Sequence, residues 1–159
     1  MSMFIEIDGV DGDSTVEGFD GQIEVNSFSF STSQPTSPVR SGSAHTSGRP
    51  SLSLFNLTKN CDSASPLLLQ KLWAGETIAT ANFSACRDEG AKLIPFLTVE
   101  MENVVVANYS VSGGGGMPYE NLALNYSKII VNYIPQNNAG GTDGNIPATY
   151  DLATESGEE

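Results

Sequence analysis

Apolar residues along the chain recur mostly at every second position, which is the spacing of a strand with one face buried. Runs of this kind lie at about 3–8, 22–31, 51–59, 77–86, 92–102, 103–112 and 120–134. They are rich in aromatic and β-branched residues, and Gly, Asp or Asn punctuates the joins. Several runs break phase. Leu122, Leu124 and Tyr126 occupy even positions, Ile129, Val131 and Tyr133 odd ones, with Ser127 and Lys128 between the two sets. Ile23 and Val25 stand against Phe28 and Phe30 in the same way, and Leu52 and Leu54 against Phe55 and Leu57. A one-residue slip is what a β-bulge produces. Several slips in one chain predict strongly bent strands closing a barrel, or half-strands that turn an apolar stripe toward a neighbour.

One stretch has the helical period. Leu68 with Leu72, and Leu69 with Trp73, form i,i+4 pairs. Ser65 suits an N-cap, Pro66 the first helical position and Gly75 the left-handed stop. The spacing predicts one short helix that plugs one side of a β-barrel or sandwich. Residues 31–50 are polar, punctuated by Pro and Gly and without period, and predict a long loop. From Asn137 the chain is rich in Gly and acid, with Ile146, Tyr150 and Leu152 able to hold a last short strand. These readings give a single domain over 1–152 and a flexible acidic tail over 153–159.

Charge narrows the partners. The formal net charge is -12 and only 16% of residues are charged. An acidic chain lacks the basic footprint that nucleic acid or an anionic membrane requires. A surface of Ser, Thr, Asn and Gly can be covered by another protein without stranding many ions. The start of the chain has neither a basic segment nor a long apolar run, which predicts cytoplasmic synthesis and no use of the general secretory signal. Cys61 and Cys86 are expected to be buried free thiols.

Reactive chemistry is sparse. His45 is the single histidine, it lies in the Ser-rich loop, and no G-x-S-x-G elbow accompanies it. Asp11, Asp13, Thr15 and Glu17 alternate, but a calcium loop counted from Asp11 needs a glycine where Val16 stands and a glutamate where Gln22 stands. The run Gly113–Gly116 lacks the Lys-Ser/Thr of a phosphate loop. We therefore expect no catalytic residues, no metal and no cofactor.

Three segments, in order, resemble the Hcp family, the tube-forming proteins of bacterial type VI secretion systems. They are MFIEIDGVDGDST, FNLTKNCDSASPLLLQKLWAGETI and VSGGGGMPYENLALNYSKIIVNYIPQ. The likeness runs from Met3 to about Leu152 and departs at the Ser/Pro-rich loop 31–50 and at Phe28 and Phe30, where tryptophans are common. It implies a mainly β fold: a two-sheet β-barrel with one short α-helix packed on the side, the subunit of a hexameric ring. It further implies a homo-hexamer stacking into tubes inside a contractile sheath, a VgrG-like spike protein at the tip, effector proteins in the channel, and secretion without a signal peptide. Nothing in it suggests enzymatic turnover, nucleic acid or membrane anchoring.

On that basis Ser27, Ser29 and Ser31 are candidates for the channel face, the alternative being a merely solvated sheet face. Gln34, Arg40, His45 and Arg49, in a loop free of acids, are candidates for ring stacking against Asp11, Asp13 or Glu17 of the next ring. A mobile solvated loop is the other reading. Ile129, Val131 and Tyr133 are candidates for the subunit interface. A tail-tube protein of a contractile phage shares all these features, and a lectin-like β-sandwich is the reading from another class.

Overall fold

In the computed structural model, residues 1–36, 48–136 and 144–158 are described. The strands are β1 (Ser2–Ile7), β2 (Ile23–Val25), β3 (Ser27–Ser29), β4 (Thr32–Ser33), β5 (Ser51–Leu52), β6 (Phe55–Asn60), β7 (Ile78–Glu89), β8 (Lys92–Ser112), β9 (Tyr119–Asn125), β10 (Lys128–Tyr133), β11 (Ile146–Asp151) and β12 (Ser156–Glu158). The helix α1 spans Ala64–Ala74. Sheet A runs β12-β11-β10-β8-β7-β1-β2, and sheet B runs β3-β6-β9-β8. A separate two-stranded ribbon, β4-β5, closes the base of the 31–50 loop.

The strands at 92–102 and 103–112 are one strand. β8 pairs with β10 up to Glu102 and with β9 from Val105, and it bends where Asn103 adopts a left-handed φ of 52°. Asn tolerates that conformation better than most residues. The facing corner is stitched to it. Asn103 Nδ2 donates to Ser127 Oγ at 2.9 Å, and the Ser127 N–H donates to the Glu102 carbonyl at 3.0 Å.

The phase breaks acquire their cause here. β9 belongs to sheet B and β10 to sheet A, so the chain changes sheet at Tyr126–Ser127. Likewise β2 belongs to sheet A and β3 to sheet B, with the change at Asn26. Both halves of each pair face the same core from different walls. Leu122, Leu124, Tyr126 and Ile129 are all buried. True register shifts fall elsewhere, between Ala85 and Cys86 and between Val106 and Asn108. Among the described residues the expected barrel does not close as one ladder: β2 pairs only with β1, β3 only with β6, and the two pairings meet end to end at Asn26.

Between the sheets lie Ile5, Ile23, Phe55, Phe83, Val99, Met101 and Leu124, all with no exposed surface. Phe28 and Phe30 turn inward onto this core, with ring centroids 4.6 Å from Phe83 and 5.8 Å from Phe55 respectively. A smaller cluster sits on the outer face of sheet A, where Phe19 stacks on Phe4 at 4.5 Å beside Cys86. The acidic stretch that carries Phe19 is an ordered lap. Gly12 donates to the Gly21 carbonyl at 2.9 Å and Ser14 to the Gln22 carbonyl at 3.1 Å. A Cβ at Gly12 would sit 2.5 Å from the Gln22 oxygen, so no larger residue fits.

The helix begins at Ala64, earlier than the Ser65 cap predicts. Asp62 Oδ1 accepts the Ala64 N–H at 3.0 Å, and Asp13 accepts from the Ser63 N–H at 3.2 Å. Gly75 does end it in the left-handed conformation, its N–H donating to the Leu72 carbonyl. Leu68 is fully buried and Leu72 packs on the core, but Trp73 is 76% exposed. One residue is a turn of 100°, so a stripe through Ala64, Leu68 and Leu72 leaves Trp73 outside it. Both cysteines are free; Cys86 is buried, and burial pushes its thiol up to about 11, while Cys61 is exposed. The chain end predicted as a tail from 153 contributes β12, paired with β11. Among the described residues no helix is long and apolar enough to cross a membrane.

Candidate functional site

Sheet B has two unlike faces. Alternation turns Phe28, Phe55, Leu57, Leu122 and Leu124 inward. The outward residues fall into register: Ser27–Thr58–Asn121–Ser110 form one row across the four strands, and Ser29–Asn56–Ala123–Asn108 the next. Each is a small neutral residue. Together they line a shallow concavity of about 220 Å³. The β8 bulge makes this possible. By strict alternation Asn108 would follow buried Val106 inward; the extra residue at Ala107 flips the parity, so Asn108 and Ser110 point out and Tyr109 points in.

The charged residues of the sheet B strands lie on the other side. Lys59 and Glu120 are fully buried, with Lys59 Nζ 2.6 Å from Glu120 Oε2 and 2.8 Å from Asp62 Oδ1. Lys59 also donates to the Asn60 carbonyl at 3.1 Å and to Ser65 Oγ at 3.2 Å. The Tyr109 hydroxyl bonds the second Glu120 oxygen. Burial pushes the Glu120 carboxyl up, but Lys59, Tyr109 and Ser65 together hold it below the ordinary range. Burial, and then the bond to Glu120, raise the Tyr109 hydroxyl. This network ties the end of β6, the Asp-x-x-Ser turn into α1 and the start of β9. It joins two of the three segments on which the family resemblance rests.

The structure separates the predicted site residues. Ser27 and Ser29 lie on the outward rows of sheet B, exposed, with Ser27 Oγ bonded to Thr58 Oγ1 at 2.6 Å. Ser31 is exposed beyond the rows, where its N–H donates to Ser53 Oγ at 2.8 Å. Gln34 reaches across the loop base to the Gly48 carbonyl. Arg49 pairs with Glu155 of the same chain at 2.7 Å, while Arg40 and His45 lie outside the described residues. Ile129 is a core residue of the subunit, since β10 turns it inward with Leu124 and Met101, and this corrects its assignment to an interface. Val131 is half-buried against the same core; Tyr133 is 44% exposed at the end of β10. Periodicity missed Asn56, Asn108 and Asn121, because only strand pairing brings them beside the serines.

Among the described residues no three His, Cys, Asp or Glu side chains group as metal ligands, and the two rows lining the concavity carry no titratable group; the exposed Tyr119 lies on the row beyond them, between Asn60 and Ser112. Such rows offer hydrogen bonds and contact. A two-sheet, mainly β domain with one side-packed helix and a neutral concave wall is the class of protein the geometry defines. The type VI secretion system effector family Hcp matches residues 4–133, and the chain belongs to that family. Protein hcp1 of Pseudomonas aeruginosa is 29% identical over 98 residues, an alignment that spans 60% of this chain and 60% of that protein. A solved type six secretion system protein superposes with a TM-score of 0.91 at 25% identity, covering 99% of both chains. Hcp1 from Salmonella typhimurium gives 0.79 at 26% identity over 99% of this chain and 98% of its own.

Proposed function

We propose that this chain is the tube subunit of a type VI secretion system: a hexameric ring former whose sheet B rows line a central channel, and whose rings stack into a tube. The carrying observation is the uncharged wall. In a chain of net charge -12, two full cross-strand rows hold only Ser, Thr, Asn and Ala. Copies brought together around a channel would repel if they turned carboxylates toward one another; this face brings none. Ser27, Ser29 and, at the margin, Ser31 belong to that wall.

Ring closure in a cyclic assembly joins unlike faces of successive copies. The exposed Tyr133 and Ile146, partners across β10 and β11, supply apolar surface for it together with half-buried Val131. Stacking falls to the 31–50 loop, with Gln34, Arg40, His45 and Arg49. Arg49 is already matched by Glu155 within the subunit, so its pull on a neighbouring ring competes with that pair. The proposed partners are a contractile sheath, a VgrG-like spike protein and effector proteins in the channel. The tube is assembled in the cytoplasm and secreted with its cargo.

Light scattering with negative-stain microscopy tests the reading. Wild type is expected as rings. Tyr133→Asp is expected to shift the mass to monomer while leaving the circular dichroism spectrum and the unfolding midpoint in place. Full rings from Tyr133→Asp remove that surface from the interface, and a wild type that stays monomeric at every concentration and salt overturns the tube assignment.

A further inference from the structure

We propose that cargo is held at a polar pit on sheet B, floored by Ala123 and rimmed by Asn56, Asn108, Ser110 and Asn121, and that it is recognised there through uncharged amide groups on its surface. The inference rests on the channel-lining reading above and names the chemistry of partner that the wall fits.

Hydrogen-bonding capacity is unevenly spread over the face. On the β3–β6 side most of it is used internally: Ser27 with Thr58 at 2.6 Å, Asn56 Nδ2 with the Leu54 carbonyl at 3.1 Å, and Asn26 with Asn60 at 3.2 Å, leaving Ser29. On the β8–β9 side the side-chain bonds belong to Asn103, Tyr109 and Asn125. Asn108, Ser110 and Asn121, all exposed, have none among the described residues. Most of the free donors and acceptors are therefore grouped around Ala123, which β6 separates from the serines that the sequence singles out.

Shape and charge select the partner. Ala123 is the one outward residue of these rows without a polar side chain, and it is walled in to 6% exposure by its longer neighbours. A group seated over it meets carboxamides that both donate and accept. Peptide groups and Asn or Gln side chains present the same pair of functions, so they satisfy the pit without leaving a polar atom unmatched. A carboxylate or ammonium would lose water there and find no counter-charge, because Lys59 and Glu120 are both fully buried behind the sheet. Binding at this pit is thus insensitive to salt, unlike recognition by charge.

The test uses assembled rings of the full chain in a Cys61→Ser background, with a peptide of alternating Gln and Thr carrying a neutral dye. Matched peptides carry Glu or Lys in place of Gln. Fluorescence anisotropy is expected to detect the neutral peptide alone, with an affinity that changes less than about twofold between 0.05 M and 0.5 M salt. Asn108→Ala with Asn121→Ala is expected to lower that affinity about tenfold or more in rings that still form, and Glu100→Gln on sheet A to leave it nearly unchanged. Tighter binding of a charged peptide, a steep salt dependence, or an unaltered affinity in the double variant overturns the proposal. A Ser110→Cys substitution separates the two levels. Reaction with a bulky maleimide as fast in rings as in dissociated subunits removes both the channel reading and the pit. Protection in rings with no peptide held removes amide recognition alone.

Discussion

Sheet A and sheet B share β8, yet their outer faces carry charge in opposite ways. The sheet B rows are Ser27–Thr58–Asn121–Ser110 and Ser29–Asn56–Ala123–Asn108. On sheet A the outward rows include Glu24–Phe4–Ser84–Thr98, Glu6–Asn82–Glu100 and Thr80–Glu102–Lys128–Asp151. Sheet B keeps its charged residues, Lys59 and Glu120, buried behind it; sheet A wears its own outside. On the channel-lining proposal, the difference follows from what each face would have to do. Carboxylates left in water are nearly free of cost, whereas a face to be covered by another protein loses stability for every ion it strands. A net charge quoted for the whole chain hides this division.

The comparison breaks most sharply at Lys59. Lys59→Met leaves Glu120 buried beside Tyr109 without its cation, which is expected to cost about 3–5 kcal/mol in urea unfolding of the subunit. Adding Glu120→Leu is expected to restore much of that loss. The same pair sets the acid limit. The Glu120 carboxyl is held below its ordinary range, so its contribution is complete above roughly pH 4–5 and is lost as pH falls through the folded value. Unfolding of the Glu120→Gln variant should lack that part of the acid dependence, and an unchanged profile would put the pair's role in doubt.

The corner that joins the two faces comes next in size. Asn103→Val forces a β-branched residue into φ of 52° and removes the bond to Ser127, an expected loss of about 1–3 kcal/mol. Asn103→Gly keeps the conformation and should lose less. The smallest effects on stability lie on the faces themselves. Asn121→Glu on sheet B and Glu100→Gln on sheet A are each expected within about 0.5 kcal/mol of wild type in subunit unfolding. Their effects on assembly should differ. Rings of Asn121→Glu should require higher salt, since each copy adds a carboxylate to the wall, while Glu100→Gln rings should assemble as wild type. Equal salt dependence of the two, read by light scattering, would erase the distinction between the faces.

Much of this molecule can be read without coordinates. Period-two patterning locates the long strands, the 3.6 period locates α1, and the chemistry of Gly75 fixes where it stops, because these depend on which side of one element must leave water. The phase breaks at Asn26 and Ser127 are visible as well. Only the tertiary structure shows that the chain changes sheet there and points both halves into one core, so that Ile129 serves the inside. It also decides that Asn56, Asn108 and Asn121 share a wall, since strand pairing and a bulge at Ala107 are relations between distant residues. Neighbours on one strand are set by local alternation, but neighbours across strands are set by register, and register is a property of the packed whole.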